Sequence, residues 1–401
     1  MRRLLFLAHR LPYPPDKGER IRAWHMLEHL ARDWSIDLGC LSDDPADAQH
    51  LPMLRELCRS VHAEPVGPRI TLAARALLRA RPGQPLTLGW FHAPGLRAWV
   101  DAQLASGEHD AAFVYSSAMA PYVMGARLPH SVLDLVDVDS EKWRAYAAGA
   151  APPRRQLWAR EARTLLAFER RAAAAFDHTI LVSQAECARF ASLAPEVAER
   201  LSWVDNGVDL ARFDPAQLWP NPFTPGRPAL VFTGTMDYRP NIAAVTWFAE
   251  AVLPVLRGFN PAIEFHIVGT RPTTAVRALA QRPGVHVTGR VADTRPYIAH
   301  AAIAVAPLTI ARGIQNKVLE AMAMARPVIA SPAAFEGVRA RAGRDLLVAE
   351  GVDATVQAVL AVLRGEYPGL GLAARAAMLR RYDWSMTLRR LDTALQPRVL
   401  A

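Results

Sequence analysis

Short β-branched or apolar runs alternate with longer helical patterns along all 401 residues, and the series starts twice. The first set is RLLFLAH (3–9), SIDLGCL (35–41), AAFVYSS (111–117), SVLDLVD (131–137) and HTILVS (178–183). The second is LVFTGT (230–235), EFHIVG (264–269), VHVTG (285–289), AAIAVAPL (301–308) and PVIASP (327–332). Runs this short and this apolar, set between helices, read as parallel strands covered on both faces. Between them lie helical patterns such as 20–33, with Ile21, Trp24, Leu27 and Leu30 on one face, and the Arg- and Ala-rich 154–176. A chain of this length exceeds one ordinary core. The expectation is an α/β protein of two doubly wound domains facing across a cleft, residues 1–205 and 206–381, followed by a terminal segment 382–401.

Other classes are disfavoured by what is missing. Neither first strand is followed by G-x-G-x-x-G, which argues against a dinucleotide enzyme. The longest apolar runs fall short of the roughly 18–20 residues of a membrane span. The basic start, MRRLLFLAHRLPYPP, carries too short an apolar run for a signal peptide. Cys40, Cys58 and Cys187 form no C-x-x-C pair, so neither zinc nor disulfides are indicated and a cytoplasmic chain is expected. The net charge of +9 is uneven: residues 1–205 carry 25 basic and 24 acidic groups, residues 206–401 carry 22 and 14. The excess in the second half suits an anionic ligand there. It forms no basic run with interleaved aromatics, so no nucleic-acid partner is expected. Arginine outnumbers lysine 44 to 3, which a coding bias also explains.

Ligands of open α/β sheets bind at the carboxyl ends of strands, so those loops hold the candidates. After the first strand, PPDKGER places Lys17, Gly18 and Arg20 at a helix start, which reads as an anion seat or as an ordinary turn. In the second half, GTMDYRPN (234–241) offers Gly234 for close backbone approach, followed by Thr235, Arg239 and Asn241. ARGIQNKVLEAMAMARPVIA (311–330) puts Arg312, Gly313, Ile314, Gln315, Asn316, Lys317 and Glu320 at one helix start, above apolar positions Ile314, Val318, Leu319, Met322 and Ala323. Free N–H groups and a lysine there suit a phosphate. Glu320 reads as an acceptor for sugar hydroxyls or as an ion-pair partner of Lys317. A phosphate seat beside a hydroxyl acceptor points to a nucleotide sugar. Asp137 and Asp139 spell D-x-D, a metal motif elsewhere, but here it ends a first-domain strand far in sequence from the donor motifs. His9 reads as a packed or cleft-lining residue.

PLTIARGIQNKVLEAMAMARPVIAS, VDNGVDLARFDP, FTGTMDYRPN and DHTILVSQAE together resemble the family 4 glycosyltransferases of GT-B fold. Within them the chain is most similar to the sugar transferases associated with exosortase/PEP-CTERM exopolysaccharide systems. The resemblance implies Rossmann-like domains and retaining transfer from a nucleoside-diphosphate sugar held mainly by the second domain, with no cofactor and no metal required. By position it implies that Glu320 contacts the ribose and that Ile314 to Asn316 hold the diphosphate. Gly234 then faces the phosphates, Arg290 and Val291 lie beside the base, and Gly18 belongs to the first-domain glycine loop. YDWSMTLRRLDTAL (382–395) is similar to the terminal helix that crosses back to the first domain. Three positions depart from the family: Arg312 stands where its first glutamate would be, Thr235 replaces an arginine, and Ala325 replaces a glycine.

On this reading Arg312 and Lys317 stabilise the departing diphosphate, a relocated phosphate clamp in the case of Arg312. Asp137 is the remaining catalytic candidate, and Lys17, Gly18, Asp137, Asp139 and Lys142 lie on the acceptor or sugar side. The acceptor expected is a glycan, lipid-linked and growing. Arginine-rich helical material at 70–81 and 154–171 suggests peripheral contact with the anionic inner membrane, or a solvated basic face. A nucleotide-sugar epimerase of the same fold and a weakly active scaffold of a polysaccharide assembly complex are the rival readings.

Overall fold

The structure is a computed structural model that describes residues 1–16, 18–67, 72, 76, 81–311 and 313–396. The chain divides into two compact units, residues 1–205 with 388–401, and residues 206–387. Each is built on one wholly parallel sheet.

In the first unit the strands are β1 (Arg2–Ala8), β2 (Trp34–Ser42), β3 (Ser60–Pro65), β4 (Ala111–Tyr115), β5 (Ser131–Val136), β6 (His178–Leu181) and β7 (Leu201–Trp203). Their order is β3-β2-β1-β4-β5-β6-β7. Leu4 to Ala8 of β1 and Ala112 to Val114 of β4 are fully buried, as expected of central strands covered on both faces. β5 ends irregularly: the register with β6 shifts between Asp134 and Val136, and Val136 has a φ of 65°. The Val136 N–H is held by Asp134 Oδ1 at 2.9 Å.

The first helix, Gly18–Leu30, buries a different face from the expected one. Ala23, Met26, Leu27 and Leu30 are buried, whereas Ile21 and Trp24 are only half-buried. The cause is Arg22, which turns inward to pair with fully buried Asp134, Nε to Oδ2 at 2.9 Å, and donates to the Val204 carbonyl at 2.7 Å. Residues 388–396 complete this unit. His29 and Asp392 meet at 2.7 Å, His130 bonds the Ala394 carbonyl, and Arg390 lies over Trp203.

The second unit has β8 (Ala229–Thr233), β9 (Glu264–Val268), β10 (Val285–Gly289), β11 (Ile303–Ala306), β12 (Val328–Ala330) and β13 (Leu347–Val348), in the order β10-β9-β8-β11-β12-β13. Its helix Asn316–Ala323 buries Val318, Leu319 and Met322, each contributing about 1.5–3 kcal/mol. Residues 382–387 belong here: Tyr382 is fully buried and donates its N–H to Met378, Val208 bridges to Asp383, and Gly207 packs against Trp384.

One continuous helical run, Arg239–Phe259, is long and apolar enough by length and composition to cross a membrane. It is not an unbroken apolar run, because Arg239, Asn241, Glu250 and Arg257 interrupt it. Its buried residues, among them Ala244, Val245, Phe248, Val252 and Leu256, make it a core helix of the unit.

Both sheets switch direction beside their first strand, between β1 and β4 and between β8 and β11. The loops at those two points are where a doubly wound sheet presents a ligand site.

Candidate active site

In the second unit the loop after β8 and the helix after β11 meet. Lys317, in the first turn of the Asn316–Ala323 helix, donates from Nζ to Asn241 Oδ1 at 2.7 Å. Asn241 in turn donates from Nδ2 to the Thr235 carbonyl at 2.9 Å, which fixes its amide orientation. The ammonium also lies 4.2 Å from the centre of the Phe232 ring. An ammonium has three N–H donors, and among the described residues only Asn241 accepts one. Burial pushes the Lys317 pKa down to about 7, with Glu320 acting in the opposite direction. A half-buried amine with one neutral acceptor and one aromatic face is short of negative charge.

Gly234 keeps this corner open. A Cβ there would stand 2.8 Å from Asn241 Nδ2 and 3.3 Å from Lys317 Nζ. The loop is tied to its neighbour, because the Gly234 N–H bonds the Val268 carbonyl at 3.0 Å and Met236 N–H bonds Thr270 at 2.7 Å. A side chain at Gly269 would sit 1.7 Å from the Gly234 carbonyl oxygen. Gly269 is therefore part of the same device, although no role was expected for it.

Beside Lys317, Gly313 turns the chain into the helix with a φ of 61°. Ile314 is buried, and Gln315 is the residue before the first helical one. The Val318 and Leu319 N–H groups bond the Gln315 carbonyl, whereas those of Asn316 and Lys317 have no intrahelical acceptor, so this end carries positive potential. Asn316 Oδ1 accepts from Asn206 Nδ2 at 3.0 Å, while its own Nδ2 is buried with no partner among the described residues. One turn on, burial lifts the Glu320 pKa to about 7 against the pull of Arg212 and Lys317. Arg212 and Asn206 both come from the segment VDNGVDLARF, which the sequence reading used only for its likeness.

The remaining donor candidates lie further out. Arg239 is exposed at the start of the helix Arg239–Trp247. Arg290 is exposed after β10, and Val291 packs against the cluster around Phe223 and Val231. Arg312 and Lys17 lie outside the described residues, as does most of 70–81.

In the first unit, Asp137 follows β5 and Asp139 opens the helix Asp139–Ala148. Lys142 pairs with Asp139. Burial lifts the Asp137 pKa to about 7, assisted by the neighbouring charges of Glu186 and Asp139. His9, just past β1, stacks on Tyr115 with ring centres 5.6 Å apart, and its Nδ1 is buried without a partner among the described residues. Burial depresses its pKa to about 4, with Glu19, Arg10, Asp139 and Lys142 as the other charges it feels. It is a neutral imidazole packed between Tyr115 and Phe91. Gly18 is exposed at the start of its helix.

Comparison with solved structures decides the fold. Sucrose-phosphate synthase from Thermosynechococcus elongatus superposes with a TM-score of 0.73 at 16% identity, covering 98% of both chains. The chain has the GT-B fold. Anabaena HepE in complex with UDP and glucose gives 0.67 at 16% identity over 98% of this chain and 99% of that one. WaaG, a glycosyltransferase involved in lipopolysaccharide biosynthesis, gives 0.66 at 16% over the same shares. At such identities the likeness speaks to the GT-B fold and no further. Residues 227–365, which include Gly234, Asn241, Lys317 and Glu320, match the family model described as Glycosyl transferases group 1. No curated protein matches the sequence.

Proposed function

We propose that this chain is a glycosyltransferase that moves a sugar, with retention, from a nucleoside-diphosphate sugar to a glycan acceptor. The observation that carries the reading is the electron-poor corner at Lys317, with Gly234 cleared beside it and the buried Asn316 amide awaiting an acceptor. The match of residues 227–365 to a glycosyltransferase family model supports it. A diphosphate supplies the missing negative charge, and Glu320 with Arg212 alongside accepts ribose hydroxyls. As the sugar–phosphate bond breaks, Lys317 and the helix N–H groups stabilise the charge developing on the diphosphate. The acceptor hydroxyl attacks from the face the diphosphate leaves, with its proton passing to a diphosphate oxygen. Asp137, Asp139, Lys142 and His9 serve the acceptor or transferred sugar.

No metal ion is required on this reading, because fixed N–H groups and Lys317 meet the donor's charge. The HepE structure holds UDP and glucose, which makes UDP-glucose the first donor to try. Thermal shift with UDP-, GDP-, ADP- and dTDP-sugars tests the proposal. One of them should stabilise the chain, and transfer should survive chelation. No stabilisation by any donor overturns the reading in favour of a scaffold, and activity lost to EDTA but restored by manganese overturns the metal-free part.

The acceptor we propose is a growing, lipid-linked exopolysaccharide met at the inner face of the cytoplasmic membrane. The helix Arg154–Ala175 supports this by exposing Arg154, Arg155, Arg163 and Arg171. Flotation with anionic liposomes should show binding at low salt that is lost at high salt, and no binding at low salt removes the membrane contact.

A further inference from the structure

A second chemistry-bearing cluster lies on the same sheet of the second unit, toward the amino-terminal ends of its strands and away from Lys317. His266 of β9 and His286 of the edge strand β10 stand opposite each other in register. Glu264, two residues before His266, shares their face because strand side chains alternate. His266 Nε2 is 3.3 Å from Glu264 Oε2, and His286 Nε2 is 3.4 Å from Glu264 Oε1. The two imidazoles stack with ring centres 4.5 Å apart and planes 11° apart. An imidazole binds a metal in its ring plane, so one of these near-parallel rings must turn before both Nε2 atoms meet at one ion, and the surface ring of His286 has the room to do so. The three ligand atoms all lie within 4.8 Å of one another.

Two ligands held about 2.05 Å from a tetrahedral zinc ion are about 3.3 Å apart. The two histidine–carboxylate separations, 3.3 Å to Oε2 and 3.4 Å to Oε1, are of that size, and a turn of the His286 ring brings the three ligands around one ion. We infer that Glu264, His266 and His286 form a binding site for a divalent transition-metal ion of the zinc class, with a fourth position open to water. Two imidazoles favour zinc, cobalt or nickel over magnesium and calcium, which prefer oxygen. Arg227 donates to Glu264 Oε1 at 2.7 Å and holds the carboxylate from outside the ligand set. Phe223 closes one side of the site against His266, ring centres 4.5 Å apart. The entry is at His286, whose side chain is 48% exposed. An ion here ties the edge strand β10 to β9, a stabilising role separate from the sugar-transfer chemistry proposed above.

The test uses the full chain, free of affinity tags and stripped with a chelator. Cobalt titration should produce the visible absorption of a four-coordinate ion, which zinc then displaces. Zinc at tenfold or more above its dissociation constant should raise Tm by about 2–5 °C, and magnesium or calcium should not. His286→Ala, a change on the surface, should leave the metal-free Tm in place while lowering zinc affinity at least tenfold. His266→Asn should do the same to affinity. Absence of both the cobalt band and the zinc shift overturns the site, and so does a response that survives His286→Ala.

Discussion

Lys317 and Glu320 sit three residues apart on one helix, and burial has moved both pKa values to about 7, from opposite directions. For Lys317 the unfolded state holds more protons between about 7 and 10.5, so its contribution to stability rises with pH through that window. For Glu320 the folded state holds the proton, so its contribution is present below 4.5 and lost as pH rises through about 7. A nucleoside-diphosphate sugar needs the ammonium for its phosphates and the carboxylate for its hydroxyls. Donor affinity should therefore peak near pH 7 and fall by up to about tenfold per pH unit on either side. Calorimetric titration across about pH 5.5–8.5 checks this, and a flat profile would rule it out. Glu320→Gln should weaken donor binding about ten- to hundredfold, the 1.5–3 kcal/mol of a charge-assisted hydrogen bond, and should abolish the acid limb alone. Unchanged donor affinity with a lowered Tm would instead make Glu320 a structural partner of Lys317. The loop glycine and the lysine at this corner were visible in the sequence as types in a pattern. Arg212 and Asn206 were not, since they reach their partners from over a hundred positions away. Gly269 did leave a signal: β8 and β9 both run into Gly-Thr, and only the first was given a role.

At the level of elements, every strand in the interior of either sheet was legible as a short apolar run. The three that were not, β3, β7 and β13, each lie at an edge. Edge strands are covered on fewer sides, so SVHAEP and LSW carry mixed polarity, and Leu347–Val348 is too short to pattern. Helix faces were legible where the apolar positions alone decide, as in Asn316–Ala323, and misread where a charge goes inward. In Gly18–Leu30 the buried Arg22–Asp134 pair rotates the face, and periodicity counts an arginine as exposed. Such a pair is costly to break from one side. Arg22→Met should destabilise the first unit by about 3–5 kcal/mol, because it leaves Asp134 buried and unpaired. Adding Asp134→Leu should recover most of that loss, as chemical denaturation of the two variants would show. If the double variant is no better than the single one, the bonds to the Val204 carbonyl and the Val136 N–H are what matter, and the ion pair is incidental.

For the whole molecule, two parallel sheets whose first six strands follow the same order account for a fold shared at 16% identity with sucrose-phosphate synthase over nearly all of both chains. Alternation and length carry that fold in sequence, which is why it survives where side chains do not. The chain path through it is not sequential: residues 206–387 intervene between the body of the first unit and the segment that completes it. Deleting residues 388–396 should therefore lower the melting temperature of the first unit and not the second, since it removes the partners of His29, His130 and Trp203. Two transitions in calorimetry, with only one displaced, would show it, and an unshifted pair would mean the segment is dispensable. The same path has a consequence for biosynthesis. Ribosomes add about 5–20 residues per second, so the first unit waits roughly 10–40 s, while 182 residues are made, for the piece that covers its flank. During that interval the nascent chain shows chaperones a patch that the finished protein hides.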